Sequence, residues 1–238
     1  MAFTTIPLRP LAAPHLLALP PRELPSKSLG GASYYLKTGV EFKDAGRTTG
    51  IGASLLADIR ARTTQQPNPT AQSITTDTTL SPQNLGDTDP LDLGYHYPIL
   101  DYALGGVTVS NCKLNVASGT IIATYGSIAG AAGLTIGAGG QFLPIGTPIL
   151  PVWIVEYNTV QEGNTAYWLK TWSGSVPSGV SGQASDPVVA CRFTQWSMLG
   201  TDDDQFRAAY GARQLNFQDC EFHGGKLSTV APTLNFTN

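Results

Sequence analysis

The stretch VTVSNCKL at residues 107–114 decides the predicted fold, and LNFQDCEF at residues 215–222 repeats its pattern. In both, apolar and polar residues alternate, and then Asn or Asp precedes Cys, a charged residue and Leu or Phe. The third cysteine lies in a related context, VVACRF at residues 188–193, and LNFTN at residues 234–238 is a partial copy. Recurrence of one local pattern predicts a fold built from stacked copies of one structural unit.

The alternation within one copy predicts two short strands of opposite phase. Val107 and Val109 alternate with polar neighbours, so their side chains point to one side of a strand. Cys112 and Leu114 alternate in the opposite phase, and the phase changes at Asn111. We therefore expect a strand, a one-residue bend and a second strand, with the apolar side chains of both strands facing inward.

The bend falls on Asn111 in one copy and on Asp219 in the other. Asn and Asp are the non-glycine residues that most readily enter the left-handed αL region, which a bend of this kind requires. A parallel β-helix turns between two of its sheets in this way. The sequence therefore predicts an all-β fold, a right-handed parallel β-helix (β-solenoid), preceded by an irregular N-terminal segment that contains one short helix.

Three regions follow from the punctuation of the chain. Residues 1–32 are an irregular, Pro-rich leader, and residues 33–94 are predicted to hold a strand, a short helix within 51–62 and a long loop at 63–92. Residues 95–238 are predicted to form the coils of the parallel β-helix. We expect these coils to be truncated at the C-terminus, because the chain stops inside the partial repeat LNFTN.

The leader has two interpretations. Arg9 followed by the apolar run from Leu11 to Leu19 is either a signal peptide or an irregular segment, and Pro14 and Pro20 interrupt the run. No clear cleavage site between small residues follows, so the chain lacks a convincing export signal.

Composition and charge limit the function classes. Only 13% of the residues are charged, the net charge is −3, and 26 Gly and 17 Pro residues punctuate the chain, as in proteins with many short strands and turns. Lys and Arg are scattered singly, so we expect no nucleic-acid partner. No stretch reaches about 18 uninterrupted apolar residues, so we expect no membrane span.

Cys112, Cys191 and Cys220 are predicted to share one position of the repeat. We expect reduced, stacked thiols that face inward and act as small hydrophobic side chains. A metal site would need closely spaced cysteines, and a catalytic thiol would need an electropositive, partly exposed setting. Together with Asn111 and Asp219, these cysteines are predicted to be structural, and no catalytic residue is assigned.

The stretch DTDPLDLGYHYPILDY at residues 87–102 is the densest cluster of unusual residues. Asp87, Asp89 and Asp92 could offer oxygens to Ca²⁺, the one cofactor that the sequence suggests, although the loop lacks the Gly and terminal Glu of an EF-hand. The other interpretation is an aspartate-rich turn whose side chains bond their own backbone. His96 lies between two tyrosines, and we expect it to be a packed or hydrogen-bonded residue and not a catalytic base.

At the motif Asp-x-Gly-Tyr-His-Tyr-Pro, residues 92–98, the chain resembles a group of large, uncharacterised bacterial proteins. Those proteins carry the same motif just before a right-handed parallel β-helix region. The resemblance covers most of residues 40–238. It implies a secreted or surface-exposed parent protein that is longer than this chain, so the remainder of that parent is one expected partner. It implies no catalytic residues.

Two functions compete. The first is a non-catalytic β-helix module of a secreted or cell-surface protein, structural or binding a polysaccharide or cell-surface glycan, because stacked coils expose long grooves. The second is a polysaccharide lyase or glycoside hydrolase, which would need carboxylates and an Arg in one groove. Whether the chain is an enzyme stays open, with the non-enzymatic module favoured.

The four tryptophans are a possible sugar-binding feature. If they were exposed in a row, they would stack on sugars, but core packing is favoured for Trp153, Trp168, Trp172 and Trp196.

Overall fold

The computed structural model describes residues 26–29, 32–125, 133–157, 178–180, 188–197, 204–208, 214–224, 226–229 and 233–238. These residues form 21 strands and one helix, which confirms the predicted all-β class. Among them, no helix is both long and apolar enough to cross a membrane. Most of the predicted leader, residues 1–25, lies outside the described part of the chain.

The N-terminal part is a small antiparallel region with one helix. β1 (Ser26–Leu29) pairs with β2 (Ala32–Leu36), and β3 (Arg62–Thr63) pairs with residues 97–98. The helix α1 (Ala53–Arg60) confirms the prediction of a short helix within residues 51–62. None of its residues is buried, so its apolar side chains stay near the surface.

Three parallel sheets make up most of the remaining described chain. The first sheet holds β4 (Asn68–Thr70), β7 (Tyr102–Leu104), β10 (Ile121–Thr124), β13 (Val152–Glu156), β16 (Thr194–Ser197) and β19 (Glu221–His223). The second sheet holds β8 (Val107–Val109), β11 (Leu134–Ile136), β14 (Ser178–Val180), β17 (Asp204–Ala208) and β20 (Lys226–Thr229). The third sheet holds β5 (Thr78–Leu80), β9 (Lys113–Val116), β12 (Gln141–Pro144), β15 (Val188–Arg192), β18 (Gln214–Gln218) and β21 (Leu234–Thr237), and the two-residue β6 (Tyr97–Pro98) pairs with β3.

The chain visits the three sheets in a fixed rotation from β7 onward. β7, β8 and β9 belong to the first, second and third sheets, and each pairs in parallel with the strand three places further on. The register keeps like residues in line, so that Val107 lies opposite Leu134. The same rotation repeats through β21.

Side chains from all three sheets form one apolar cluster. Inward and outward residues alternate along each strand, as in β8, where Val107 and Val109 are buried and Thr108 is half-buried. Burial of apolar surface is the main stabilising contribution in such an interior, at about 25 cal/mol per Å². Members of the cluster include Leu114, Ile122, Ile136, Phe142, Val152, Ile154, Val189, Trp196, Leu215 and Phe217.

The two predicted bends are confirmed, but they lie at different corners of the fold. Asn111 and Asp219 adopt the αL conformation, with φ values of 55° and 51°. Asn111 leads from the second sheet to the third, whereas Asp219 leads from the third sheet to the first. Phe193, with φ of 44°, makes the equivalent bend between β15 and β16, which also leads from the third sheet to the first.

The prediction that the three cysteines share one stacked position is wrong. Cys112 and Cys220 each follow one of the two αL bends and so belong to different corners, while Cys191 lies within β15. The physical reason is that VVACRF bends at Phe193, two residues after its cysteine and not one residue before it. All three thiols are free; Cys112 and Cys191 are buried as expected, and Cys220 is half-buried.

Residues 63–92, predicted as one long loop, contain strands of the parallel sheets. β4 pairs with β7 and β5 pairs with β9, so parallel pairing begins at Asn68. These strands are three residues long and read NPT and TTL. Such short polar segments carry none of the alternation by which strands are recognised in a sequence.

Candidate functional site

A buried carboxylate, Asp87, organises the loop that carries the aspartate-rich motif. Asp87 is 6% exposed, and its Oδ2 accepts a hydrogen bond from the backbone N–H of Asp92 at 2.8 Å. The same oxygen lies 2.6 Å from Nε2 of His96. One oxygen of Asp87 therefore contacts both Asp92 and His96 and holds the loop of residues 87–96 together.

Asp92 ties this loop to two other segments. Its Oδ1 accepts a hydrogen bond from the backbone N–H of Asp44 at 2.8 Å, and its Oδ2 accepts one from the Thr64 hydroxyl. Alongside, the backbone N–H of Leu93 donates to the carbonyl of Phe42 at 2.8 Å. Hydrogen bonds to a carboxylate are stronger than those between neutral groups, so Asp92 fixes the relative positions of the three segments.

His96 is held at both nitrogen atoms of its ring. Nδ1 lies 3.1 Å from the carbonyl oxygen of Gly94, while Nε2 faces Asp87. The side chain is 11% exposed. The prediction of a packed, hydrogen-bonded histidine is confirmed, and the residue positions the loop.

The three predicted calcium ligands are only partly brought together. Asp87 and Asp92 are joined by a hydrogen bond, whereas Asp89 is exposed. Within the described residues, no group of three His, Cys, Asp or Glu side chains is placed to hold a metal ion. The oxygens of Asp87 and Asp92 accept protein donors, as in the alternative interpretation of an aspartate-rich turn, and the calcium site stays a prediction.

A polar cleft of about 580 Å³ lies beside this network. It is lined by residues 36–39, 64–69 and 83–84 and by Lys43 and Asp92. These segments are far apart in sequence and carry no motif, so sequence analysis missed the cleft. The amide side chains of the lining are Gln65, Gln66, Asn68, Gln83 and Asn84, and the charged ones are Lys37, Lys43 and Asp92.

Asp101 holds one side of the cleft in place. It is 1% exposed, and its Oδ1 accepts the backbone N–H groups of Gln83 at 2.6 Å and Asn84 at 2.9 Å. Its Oδ2 accepts the N–H of Ile121, the first residue of β10, at 2.7 Å. One buried carboxylate therefore couples the cleft to the first sheet.

Two exposed tyrosines lie on segments that meet near the cleft residue Leu36. Tyr34 and Tyr95 are 55% and 51% exposed, and their ring centroids are 6.5 Å apart. Gly94 approaches Leu36 of the cleft so closely that an added Cβ would lie 3.3 Å from the Leu36 side chain. The segments that carry the two rings therefore meet at Leu36, one of the residues that line the cleft, and each ring offers an exposed apolar face.

The thiols of Cys191 and Cys220, near the bend from the third sheet to the first, are poorly suited to act as nucleophiles. Burial raises the pKa of the Cys191 thiol well above its ordinary value, and the neighbouring Cys220 thiol contributes to the same effect. Burial also raises the pKa of Cys220, although hydrogen bonds with Thr194 oppose the increase. A raised pKa keeps a thiol protonated and weakly nucleophilic at neutral pH.

The tryptophans of the described part do not form an exposed row. Trp196 is fully buried in the apolar cluster. Trp153 is half-buried on the outward side of β13. Trp168 and Trp172 lie outside the described residues.

Comparison with known proteins finds no relative: no protein family, no curated protein and no solved structure matches the chain. The resemblance of residues 92–98 to bacterial β-helix proteins therefore stays a prediction. The fold and the geometry define an all-β chain with parallel sheets and a polar cleft that buried carboxylates hold in place.

Proposed function

We propose that the chain is a non-catalytic, right-handed parallel β-helix module of a secreted or cell-surface protein, and that its polar cleft binds a glycan. The observation that carries the binding proposal is the lining of the cleft, in which amide side chains outnumber both charged and apolar ones.

The strand order supports the β-helix. Parallel neighbours in a sheet need a long crossover connection, which is usually a helix. Here the connection from β7 to β10 consists of β8 and β9, which belong to the other two sheets. The chain therefore returns to each sheet by way of the other two, and the shared apolar cluster fits a β-helix interior.

The chemistry of the cleft supports a polyhydroxylated ligand. An amide both donates and accepts hydrogen bonds, as a sugar hydroxyl does, so the two can satisfy each other. Pockets for apolar ligands are lined mostly by hydrophobic side chains, unlike this one. The charged residues of the lining are two lysines, Lys37 and Lys43, and one aspartate, Asp92. This excess of positive charge favours a sugar that carries a carboxylate or sulfate. Tyr34 and Tyr95 can pack against the apolar face of a sugar ring.

Calorimetric titration of the full chain with a galacturonate trimer and a neutral glucose trimer tests this proposal. We expect the galacturonate trimer to bind more tightly. Gln65→Ala removes one amide of the cleft and should weaken binding about 5- to 10-fold, since one hydrogen bond contributes about 1 kcal/mol. Gln72→Ala changes an exposed amide that does not line the cleft and should bind normally. Absence of binding, or an equal loss in both variants, would contradict the proposal.

The alternative is a polysaccharide lyase or glycoside hydrolase, and one observation favours it. A groove of about 360 Å³ is lined by Asp219 and Glu221, and Nε of Arg192 lies 3.7 Å from Oδ2 of Asp219. Paired carboxylates are the usual machinery of glycoside hydrolysis. Release of unsaturated or reducing sugars from pectin, alginate or a neutral glucan, lost in Glu221→Gln, would support the enzyme and contradict the non-catalytic module.

A further inference from the structure

The outward side chains of the first sheet form a strip beside the groove that Asp219 and Glu221 line. Trp153 on β13 lies opposite Gln195 on β16, and Gln195 lies opposite Glu221 on β19. Neighbouring strands are about 4.8 Å apart, so this row is about 10 Å long. A row of this length accommodates two consecutive sugar rings.

The strip combines aromatic rings with hydrogen-bonding groups. The rings of Trp153 and His223 are nearly parallel, at 18°, with centroids 6.2 Å apart. This centroid distance exceeds the separation of about 3.5–4.0 Å at which stacked carbon atoms meet, so the two rings do not cover each other in direct face-to-face contact. A sugar ring can place its apolar face against an aromatic ring.

A hydrogen-bond network fixes the polar side of the strip. Nε2 of His223 lies 2.6 Å from Oε1 of Gln195 and 3.4 Å from Oε2 of Glu221. The Gln195 oxygen can only accept, so the N–H at Nε2 donates this hydrogen bond, and the Glu221 carboxylate lies close to the same nitrogen. This contact turns the NH₂ group of Gln195 away from His223, where it can donate to a sugar hydroxyl.

A loop before β13 also lines the adjacent groove. Thr147, Pro148 and Pro151 of this loop line the groove together with Gln195 and Glu221. The preceding residue, Gly146, donates its backbone N–H to the carbonyl of Arg192 at 2.8 Å, and an added Cβ there would lie 2.4 Å from the carbonyl oxygen of Phe193. The close backbone contact holds the loop against the bend from the third sheet to the first.

The charges at the groove select among sugars. Asp219 and Glu221 supply two carboxylates, and the guanidinium of Arg192 lies against Asp219. Glu221, with Nε2 of His223 at 3.4 Å from its carboxylate, is the exposed acidic group that a ligand would meet, in contrast to the cleft with its two lysines. Like charges repel, so this surface disfavours a sugar acid and suits a neutral or amino sugar.

We propose that this strip is a second glycan-binding site, separate from the cleft, for a neutral or amino-sugar pyranose chain. One sugar ring packs on Trp153 and His223, and its hydroxyl or amino groups bond to Gln195 and Glu221. The two sites share no residue and take ligands of opposite charge preference. The chain thereby holds two different glycan segments on one scaffold.

Calorimetric titration of the full chain with a glucose trimer, a glucosamine trimer and a galacturonate trimer tests the strip. Trp153→Ala should weaken binding of the neutral or amino trimer about 10-fold, as loss of an aromatic anchor does. Trp153→Phe should stay within about 3-fold of the native affinity. Val155→Ala, an outward change on the same strand, should leave the affinity unchanged, as should Gln65→Ala in the cleft.

The trimers and variants distinguish this proposal from the cleft. If the glucosamine trimer binds and depends on Glu221, the amino-sugar form is supported; if only the glucose trimer binds, the neutral form is supported. The strip is contradicted if neither trimer binds, or if a Trp153→Ala protein with a native circular dichroism spectrum binds as the native chain does. Loss of galacturonate binding in Trp153→Ala but not in Gln65→Ala would also overturn it.

Discussion

At the scale of single residues, the positive φ of Asn111 is the conformation on which one corner of the fold depends. The αL region costs most residues about 1–2 kcal/mol, whereas Asn visits it more readily and Gly at no steric cost. Asn111→Ala should therefore lower the free energy of unfolding by about 1 kcal/mol, and Asn111→Gly should preserve it. Urea unfolding measures both variants, and an Ala variant as stable as the native chain would contradict the role of the bend.

The buried thiol of Cys112 gives a second prediction at this scale. Cys112 is 5% exposed within the apolar cluster, whereas Cys220 lines the groove. Cys112→Asp would bury a carboxylate and should cost more than about 3 kcal/mol, while the carboxylate in Cys220→Asp can reach water and should cost less. Thermal unfolding of the two variants checks the order, and the reverse order would show that the burial of these residues is misassigned.

Side-chain type determines which of these residue features the sequence can predict. Asn111 and Asp219 are predictable because their residue types favour αL. Phe193 is not, because a bulky residue at positive φ is an outlier, and missing its bend misplaces Cys191 in the repeat. Asp101 is equally unpredictable, since the backbone groups that it binds come together only in the folded chain.

At the scale of elements, Asp101 connects the cleft to the first sheet and carries the next prediction. Asp101→Ala would leave three backbone N–H groups without their acceptor and should cost more than about 2 kcal/mol. Asp77→Ala is the matched control, because this exposed carboxylate accepts one N–H, from Lys113, and its loss should cost under about 1 kcal/mol. Chemical denaturation gives both values. If the two variants lose equal stability, Asp101 does not couple the elements.

The prediction of individual strands depends on how much of each strand faces the interior. β8 and β9 are predictable because inward and outward residues alternate along them. β4 and β5 are too short and too polar to show alternation, and their pairing with later strands decides their conformation. Tertiary context overrides weak local preferences for a strand in this way.

At the scale of the whole molecule, similar local patterns serve different corners. VTVSNCKL and LNFQDCEF resemble each other because any tight bend between two short strands needs the same residue types. Nothing in the pattern says which two sheets the bend connects. Stacked parallel strands are therefore predictable from the repeat, whereas the cleft and the strip arise where segments distant in sequence meet.

In the proposed β-helix the chain coils, so that each strand lies on the strand three places earlier in all three sheets. Paired outward positions on neighbouring parallel strands lie close enough for a disulfide. Pairs of cysteines can be introduced, in a Cys220→Ser background, at Val155 and Ser197 in the first sheet, Thr108 and Thr135 in the second, and Asn115 and Leu143 in the third.

Peptide mapping of the oxidised variants by mass spectrometry is the most direct test of the coil. We expect an intramolecular disulfide in each of the three variants, and none in a control that combines cysteines at Thr108 and Ser197, which lie in different sheets. A sheet in which the paired cysteines do not crosslink, or a control that crosslinks as readily, would contradict the β-helix.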